Sequence, residues 1–384
     1  MMSDTQILVN RGICGKLKIV SNTMHWFIKL WLILLAIIFI LGFILFIRPK
    51  FISEKQISNS EISGIIWRNE RWSGVIRVKG DILSVPGSVV TAEPGTKILV
   101  ETAADKSNMD FIPIHNRAGI NDSPTTISSI RHGEPFLDEG QKISIRLAKF
   151  FAAGTKEQPI TIESAALNKS PYDFNTFSIY SGIIANTKLS NYRRLEVGNV
   201  TIRNSAFSDI GECAVCTTRA NPNILHNTFN NSLRDYIWIE QGSPVVKGNI
   251  FLPAKANGVV IDPKRLGSPK ILNNEFQLPG KSSVYFLSGN EKNGGIVSNN
   301  LFAAGDITIP CDSRVKISQN HIKSNLQFIK SGNCVGEIKI GLNYWEIESP
   351  EEVTRVKVIG TEKQFKVVIE GVLPKPPLNI GVKI

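Results

Sequence analysis

The nine residues NPNILHNTF at 221–229 return as SPVVKGNIF at 243–251 and as SPKILNNEF at 268–276. Each copy opens on a turn dipeptide ending in Pro, runs through aliphatic residues, and closes on Asn-x-Phe. Weaker copies stand at 294–302 (GGIVSNNLF), 313–322 (SRVKISQNHI) and 336–345 (GEIKIGLNYW), with an earlier one, GNVTIRNSAF, at 198–207. The Asn slot falls at Asn227, Asn249, Asn274, Asn300, Asn320 and Asn343, with Ser205 ahead of them, in steps of 20 to 26 residues. A period in this range means a solenoid, whose units bury their apolar faces only against one another.

Two solenoids fit the period. A leucine-rich horseshoe requires a Leu-rich strand, whereas the residues before the slot are Ile and Val at alternate positions, as in Val315/Ile317 and Ile338/Ile340. A second alternating pair follows ten and twelve residues after the slot: Val215/Thr217, Ile237/Ile239, Val259/Ile261 and Val284/Phe286. Several short strands per coil, stacked in parallel, make a β-helix. The fold expected is therefore all-β, a right-handed parallel β-helix of about 23 residues per coil, preceded by one N-terminal transmembrane helix. The slot Asn is expected at a left-handed corner, with its amide in a ladder from coil to coil. Phe207, Phe229, Phe251, Phe276 and Phe302, two residues on, are expected to stack in the core.

The expected anchor is Leu30–Ile47, LWLILLAIIFILGFILFI, free of charge and bracketed by Lys29 and Arg48. At 1.5 Å per residue it spans about 27 Å, close to the hydrocarbon thickness of a bilayer. His25 and Trp26 suit the interface, and no small-x-small exit follows to mark a cleaved leader. The positive charges on the two sides nearly balance. Cys14 lies alone before the span, and Cys213, Cys216, Cys311 and Cys334 lie after it, which favours a cytoplasmic N-terminus and an exported C-terminal part. The organisation expected is a tail at 1–25, the anchor at 26–47, a spacer at 48–70, the β-helix at 71–348 with an insertion at 101–143, and a cap at 349–384. The localisation that follows is a single-pass protein of the bacterial cytoplasmic membrane, with the membrane as partner through 26–47. The net charge of +11 is unevenly spread, +5 in residues 1–50 and a dilute +6 over the other 334, and no dense basic run with interleaved aromatics argues for nucleic acid.

From residue 72 to about 376 the chain resembles the pectate-lyase-like right-handed parallel β-helix proteins, in particular membrane-bound or secreted bacterial forms. The resemblance is carried by WSGVIRVKGDILSVPGSVVTAEPGTKILV at the start, AAGTKEQPITIES at 152–164, FSIYSGIIA at 177–185, and the closing GLNYWEIESPEEV at 341–353. In the family's closing motif a Gly follows the Trp, where this chain has Glu346. The resemblance implies a fold, and a fold does not fix a function. Polymer-cleaving members use clustered Asp with Ca²⁺ and an Arg or Lys base, but no Asp-Asp pair, Gly-His-Gly or terminal Arg-x-Lys occurs here. IDPKRLG at 261–267 is similar to the Asp-Pro-His of alginate epimerases, with Lys264 in place of the His.

Alternation places odd offsets from the slot on the outer surface. Tyr236, Trp238 and Tyr285 are then a candidate platform for stacking on sugar rings, with Gly258 and Val260 as a gap between them. Glu240 and Asp262, one coil apart, are the alternative catalytic pair; otherwise they are two solvated acids beside Lys264 and Arg265. No metal site is expected. A zinc site joining the Cys213-x-x-Cys216 pair to Cys311 and Cys334 would have to bridge about four coils, or ~19 Å. Cys311 and Cys334 each stand nine residues before a slot Asn, which predicts a disulfide between adjacent coils. The function expected is a non-catalytic polysaccharide-binding or structural envelope module. The alternative is a polysaccharide lyase or glycoside hydrolase, and only that alternative brings in Ca²⁺ as a cofactor.

Overall fold

The computed structural model describes residues 11–43, 53–102, 142–262, 267–287, 294–311, 313–329, 336–360, 365–378 and 380–382. Most of the expected insertion at 101–143 therefore lies outside the described residues, and no role is assigned to it.

Among the described residues the central coils carry three strands each, and the pairings between coils are parallel. Before the slot, Asn223–Leu225 pairs with Val245–Lys247, which pairs with Lys270–Leu272. After the slot, Thr228–Ser232 pairs with Ile250–Phe251, which pairs with the start of Glu275–Phe286. The third sheet stacks Asp235–Glu240 on Asn257–Asp262, and that on the end of Glu275–Phe286. One side of each strand faces the tube and the other faces out. This is why the sequence shows alternation in fragments of three to six residues rather than in long runs.

Two columns hold the stack together. Phe207, Phe229, Phe251, Phe276 and Phe302 lie in register, each buried, with successive ring centroids 4.6–5.1 Å apart and planes within 14° of parallel. Burying each ring contributes roughly 1.5–3 kcal/mol. Beside them runs the amide column. Asn227 Nδ2 donates to Asn249 Oδ1, Asn249 to Asn274, Asn274 to Asn300, and Asn300 to Asn320, each at 3.0 Å, and Asn320 to Asn343 at 2.9 Å. Each Oδ1 also accepts the backbone N–H of the slot residue before it, so buried main-chain donors are satisfied by the next coil.

The left-handed corner, however, is one residue ahead of the slot. Asn204, His226, Gly248, Asn273, Asn299 and Gln319 have φ between 50° and 68°, and none of the slot residues has positive φ. The slot Asn is there for its side-chain bonds, and its neighbour supplies the bend.

The ends differ from expectation too. The segment expected as a spacer contains the strand Lys55–Ile66, which pairs in parallel with Glu70–Ser84, so the stack begins before residue 71. The expected cap adds further strands. Val358–Ile359 pairs with Leu326–Ile329, and Phe365–Ile369 pairs with Gly336–Ile340. Directly ahead of Val358, helix α2 (Pro350–Lys357) is capped by Ser349, whose hydroxyl accepts from the Glu352 N–H, and buries Val353. Trp345 is buried at the close of the repeat, and Glu346 after it takes φ 60°, the conformation for which Gly is suited.

Helix α1 covers Arg11–Gly42. Among the described residues no helix is long and apolar enough to cross a membrane, and residues 44–47 of the expected span lie outside them. The described apolar side chains of α1 are exposed, including Trp26, Trp31, Leu35 and Phe39.

Candidate functional site

The outer face of the third sheet gathers the polar and aromatic side chains that the core does not need. Glu196, Cys216, Trp238, Val260, Tyr285 and Thr308 follow one another in register up this face. Rungs are about 4.8 Å apart, so Trp238 and Tyr285 stand about 10 Å apart with Val260 between them. Both rings are half-buried, and Val260 is buried. Glu240 and Asp262 are register partners on adjacent rungs, Asp262 buried and Glu240 half-buried, and Thr218 Oγ1 approaches Glu240 Oε2 at 3.4 Å.

Tyr236 does not belong to this face. Its ring is fully buried against Phe229 and Phe251, at 5.7 and 5.9 Å, and its hydroxyl donates to the Leu252 carbonyl at 3.0 Å. Ala214, Ser283 and Gly258, which share its offset, are buried as well. A Cβ at Gly258 would meet the Ser283 carbonyl oxygen at 2.3 Å. Within the third strand the register with both neighbouring coils skips Tyr236, so 236 and 237 both turn inward and alternation restarts only after them. Gly258 and Val260 are thus both buried, and the expected gap between the two rings is filled.

Below the aromatic pair lies a charged cluster that the sequence reading did not single out. Glu212 sits between Arg193 Nε at 3.1 Å and Arg194 Nη1 at 3.8 Å, and Arg194 Nη2 also holds Glu196 at 3.1 Å. Arg193 Nη1 donates to Asn175 Oδ1, and the Ser178 hydroxyl donates to Glu196. Arg193, Arg194 and Glu212 are each at least nine-tenths buried. One rung on, Asp235 is 3% exposed and accepts from Asn257 Nδ2 at 2.9 Å. Burial pushes its carboxyl up to about 7, and the charge of Glu212 adds to this; the Asn257 bond, Arg234 and Lys281 act the other way. The signal in the sequence was NYRRLEVGN at 191–199, two Arg and a Glu inside a strand-forming run, where charges have no place unless they are paired.

The cysteines after α1 fall in two places. Cys213 and Cys216 are joined to each other by a disulfide, with Cα atoms 5.9 Å apart. Cys311 is disulfide-bonded, and its expected partner, Cys334, lies outside the described residues. Among the described residues no three or more His, Cys, Asp or Glu side chains gather as a metal site would require.

Comparison with known proteins agrees with this geometry over the central coils. No curated protein and no solved structure matches the chain. Residues 172–302, the coils that carry the Phe column and the aromatic pair, match the family described as the right-handed beta helix region.

Proposed function

We propose that this chain is a membrane-anchored, extracytoplasmic β-helix that binds a polysaccharide on the outer face of its third sheet without turning it over. A right-handed β-helix is consistent with a polysaccharide-related or structural role. The observation that carries the finer reading is the placement of Trp238 and Tyr285 on one outward column, two rungs apart. That spacing is close to a disaccharide unit, so alternate sugar rings of one chain can lie over the two aromatic side chains, with the buried Val260 between them. Glu240, half-buried on the same face, offers an acceptor for sugar hydroxyls. Anchoring is supported by the exposed apolar surface of α1, which needs an apolar covering, and a location in the bacterial cytoplasmic membrane is part of the same proposal. The cofactor-free reading goes with binding alone.

A glycan array of neutral and uronic-acid polymers, probed with the full chain in detergent, tests this reading. Binding to one polymer class, lost in Trp238→Ala, is the outcome expected. Uniform failure to bind across the array leaves only the structural reading of the module. Release of products from a bound polymer, lost in Glu240→Gln, replaces the binding reading with the lyase or hydrolase one.

A further inference from the structure

The Cys213-x-x-Cys216 disulfide is a chemically reactive group on this face that polysaccharide binding does not use. It sits on a β-bulge: Arg194 and Glu196, two residues apart, oppose Cys213 and Cys216, three residues apart. The bulge and the register skip at Ala214 shorten the Cα separation to 5.9 Å, within disulfide reach, where a regular strand would hold these positions roughly 10 Å apart. Bulges of this kind re-aim side chains beside reactive sites. The two sulfurs are not equivalent. Cys213 is 4% exposed, whereas Cys216 lies on the outward column and is half-buried.

The neighbours complete the arrangement. Cys213 is flanked in register by Arg194 on one side and Asp235 on the other, each one rung away. Cys216 is flanked by Glu196 and Trp238. A strand offers no helix N-terminus to stabilise a thiolate, and the Arg194 guanidinium one rung away is already held by Glu196 and Glu212, but the buried carboxyl on the other side supplies a proton.

We propose that Cys213 and Cys216 form a redox-active pair that exchanges with an external dithiol, with Asp235 as the proton-transfer partner of Cys213. The thiolate of the donor attacks Cys216 Sγ, the accessible sulfur, forming a mixed disulfide. The Cys213–Cys216 bond breaks, and its electron pair leaves on Cys213 Sγ, which takes the proton of neutral Asp235. The donor's second thiol loses its proton to solvent and attacks the mixed disulfide, and the Asp235 carboxylate recovers a proton from solvent. Cys216 leaves as thiolate and is protonated by solvent. Two electrons pass from the donor, oxidised to its own disulfide, to the Cys213–Cys216 pair. Asp235 suits this because its carboxyl titrates at about 7, and so exchanges protons near neutral pH. The charged groups acting on it are Glu212 from the preceding coil, Arg234 beside it and Lys281 from a later coil, with Arg193 and Arg194 holding Glu212.

The test treats the full-length protein, folded in detergent, with dithiothreitol, and follows each cysteine by differential alkylation and mass spectrometry. Reduction of Cys213–Cys216 under native conditions is expected to be at least about tenfold faster than reduction at Cys311, because attack follows access to the sulfur. After correction for the donor's own ionisation, the rate should show an inflection near pH 7 that Asp235→Asn removes. With Cys213→Ser, Cys216 should be trapped as a mixed disulfide by a small disulfide reagent; with Cys216→Ser, the buried Cys213 should react at least about tenfold more slowly. A wild-type disulfide that opens only on unfolding overturns the proposal without recourse to any variant. So does a pH profile unchanged by Asp235→Asn, or equal trapping in the two Cys variants.

Discussion

Asn274→Ala probes the amide ladder at its middle. Asn274 Oδ1 accepts from the Asn249 backbone N–H at 2.9 Å and from Asn249 Nδ2 at 3.0 Å, and Asn274 Nδ2 donates to the Val246 carbonyl and to Asn300 Oδ1, both at 3.0 Å. Alanine removes all four bonds. The Asn249 amide nitrogen is fully buried, so its N–H is stranded. At about 1 kcal/mol for each net bond, with the stranded donor at the upper end, the loss comes to about 4 kcal/mol. Serine should be milder, because the chain already uses one at this slot. Ser205 Oγ accepts the Thr187 N–H at 3.1 Å and donates to the Arg203 carbonyl at 2.9 Å, and a hydroxyl at 274 can spare the Asn249 N–H in the same way. Asn274→Ser should therefore cost about 2 kcal/mol, and the exposed Asn230→Ala less than about 0.5 kcal/mol. Urea unfolding followed by far-ultraviolet circular dichroism measures all three. If Asn274→Ala lies within about 1 kcal/mol of wild type, the ladder does not hold the coils and the reasoning is wrong.

Three further outcomes follow from the same geometry. Phe251→Ala, cut from between Phe229 and Phe276, should lose about 3–5 kcal/mol in the same unfolding assay, and a loss below about 1 kcal/mol would mean the rings are not stacked in a packed core. Glu346→Gly relieves the left-handed backbone but removes the contacts of Glu346 with His321 at 2.9 Å and Lys323 at 3.1 Å, contacts that also lower its pKa. The variant should be near wild type at low salt and about 1 kcal/mol more stable at molar salt, where an exposed ion pair is screened; lower stability under both conditions counts against the strain argument. Asp235 has a folded pKa of about 7 against 3.8 for the unfolded group, so the folded state holds the extra proton between those values. Its contribution is fully present below pH 3.8 and is lost as pH rises through about 7, on the order of 4 kcal/mol in all. Asp235→Asn should flatten the fall in stability across that window, and an unchanged slope would place the carboxyl in water.

What was legible in the sequence was whatever repeats with the coil. The slot residues from Asn227 to Asn343, the Phe column and the strand ten residues after the slot each occur once per turn, and stacking turns that repetition into register. The corners and register skips were harder to read, because alternation holds within a regular strand and not across a bend or a skipped residue. That is why Tyr236 packs inside although its offset is odd, and why the left-handed residue is His226 or Asn273 rather than the Asn after it. Arg193, Arg194, Glu212 and Asp235 were missed for another reason. They come from three successive coils and look like scattered surface charges until the coils are superposed. Glu346 was legible as a departure from the closing motif, but its φ of 60° and its partners His321 and Lys323 were not.

The central functional claim is that Trp238 and Tyr285 together receive a sugar chain, and a calorimetric titration of the array-selected oligosaccharide tests it most directly. The wild-type chain is compared with Trp238→Ala, Tyr285→Ala and the exposed Tyr180→Ala, whose ring lies off the aromatic column. Losing one stacked ring should weaken binding by about 1–2 kcal/mol, roughly five- to thirtyfold, in each of the first two variants. Tyr180→Ala should bind as wild type does. Equal affinity in all four proteins would contradict the account.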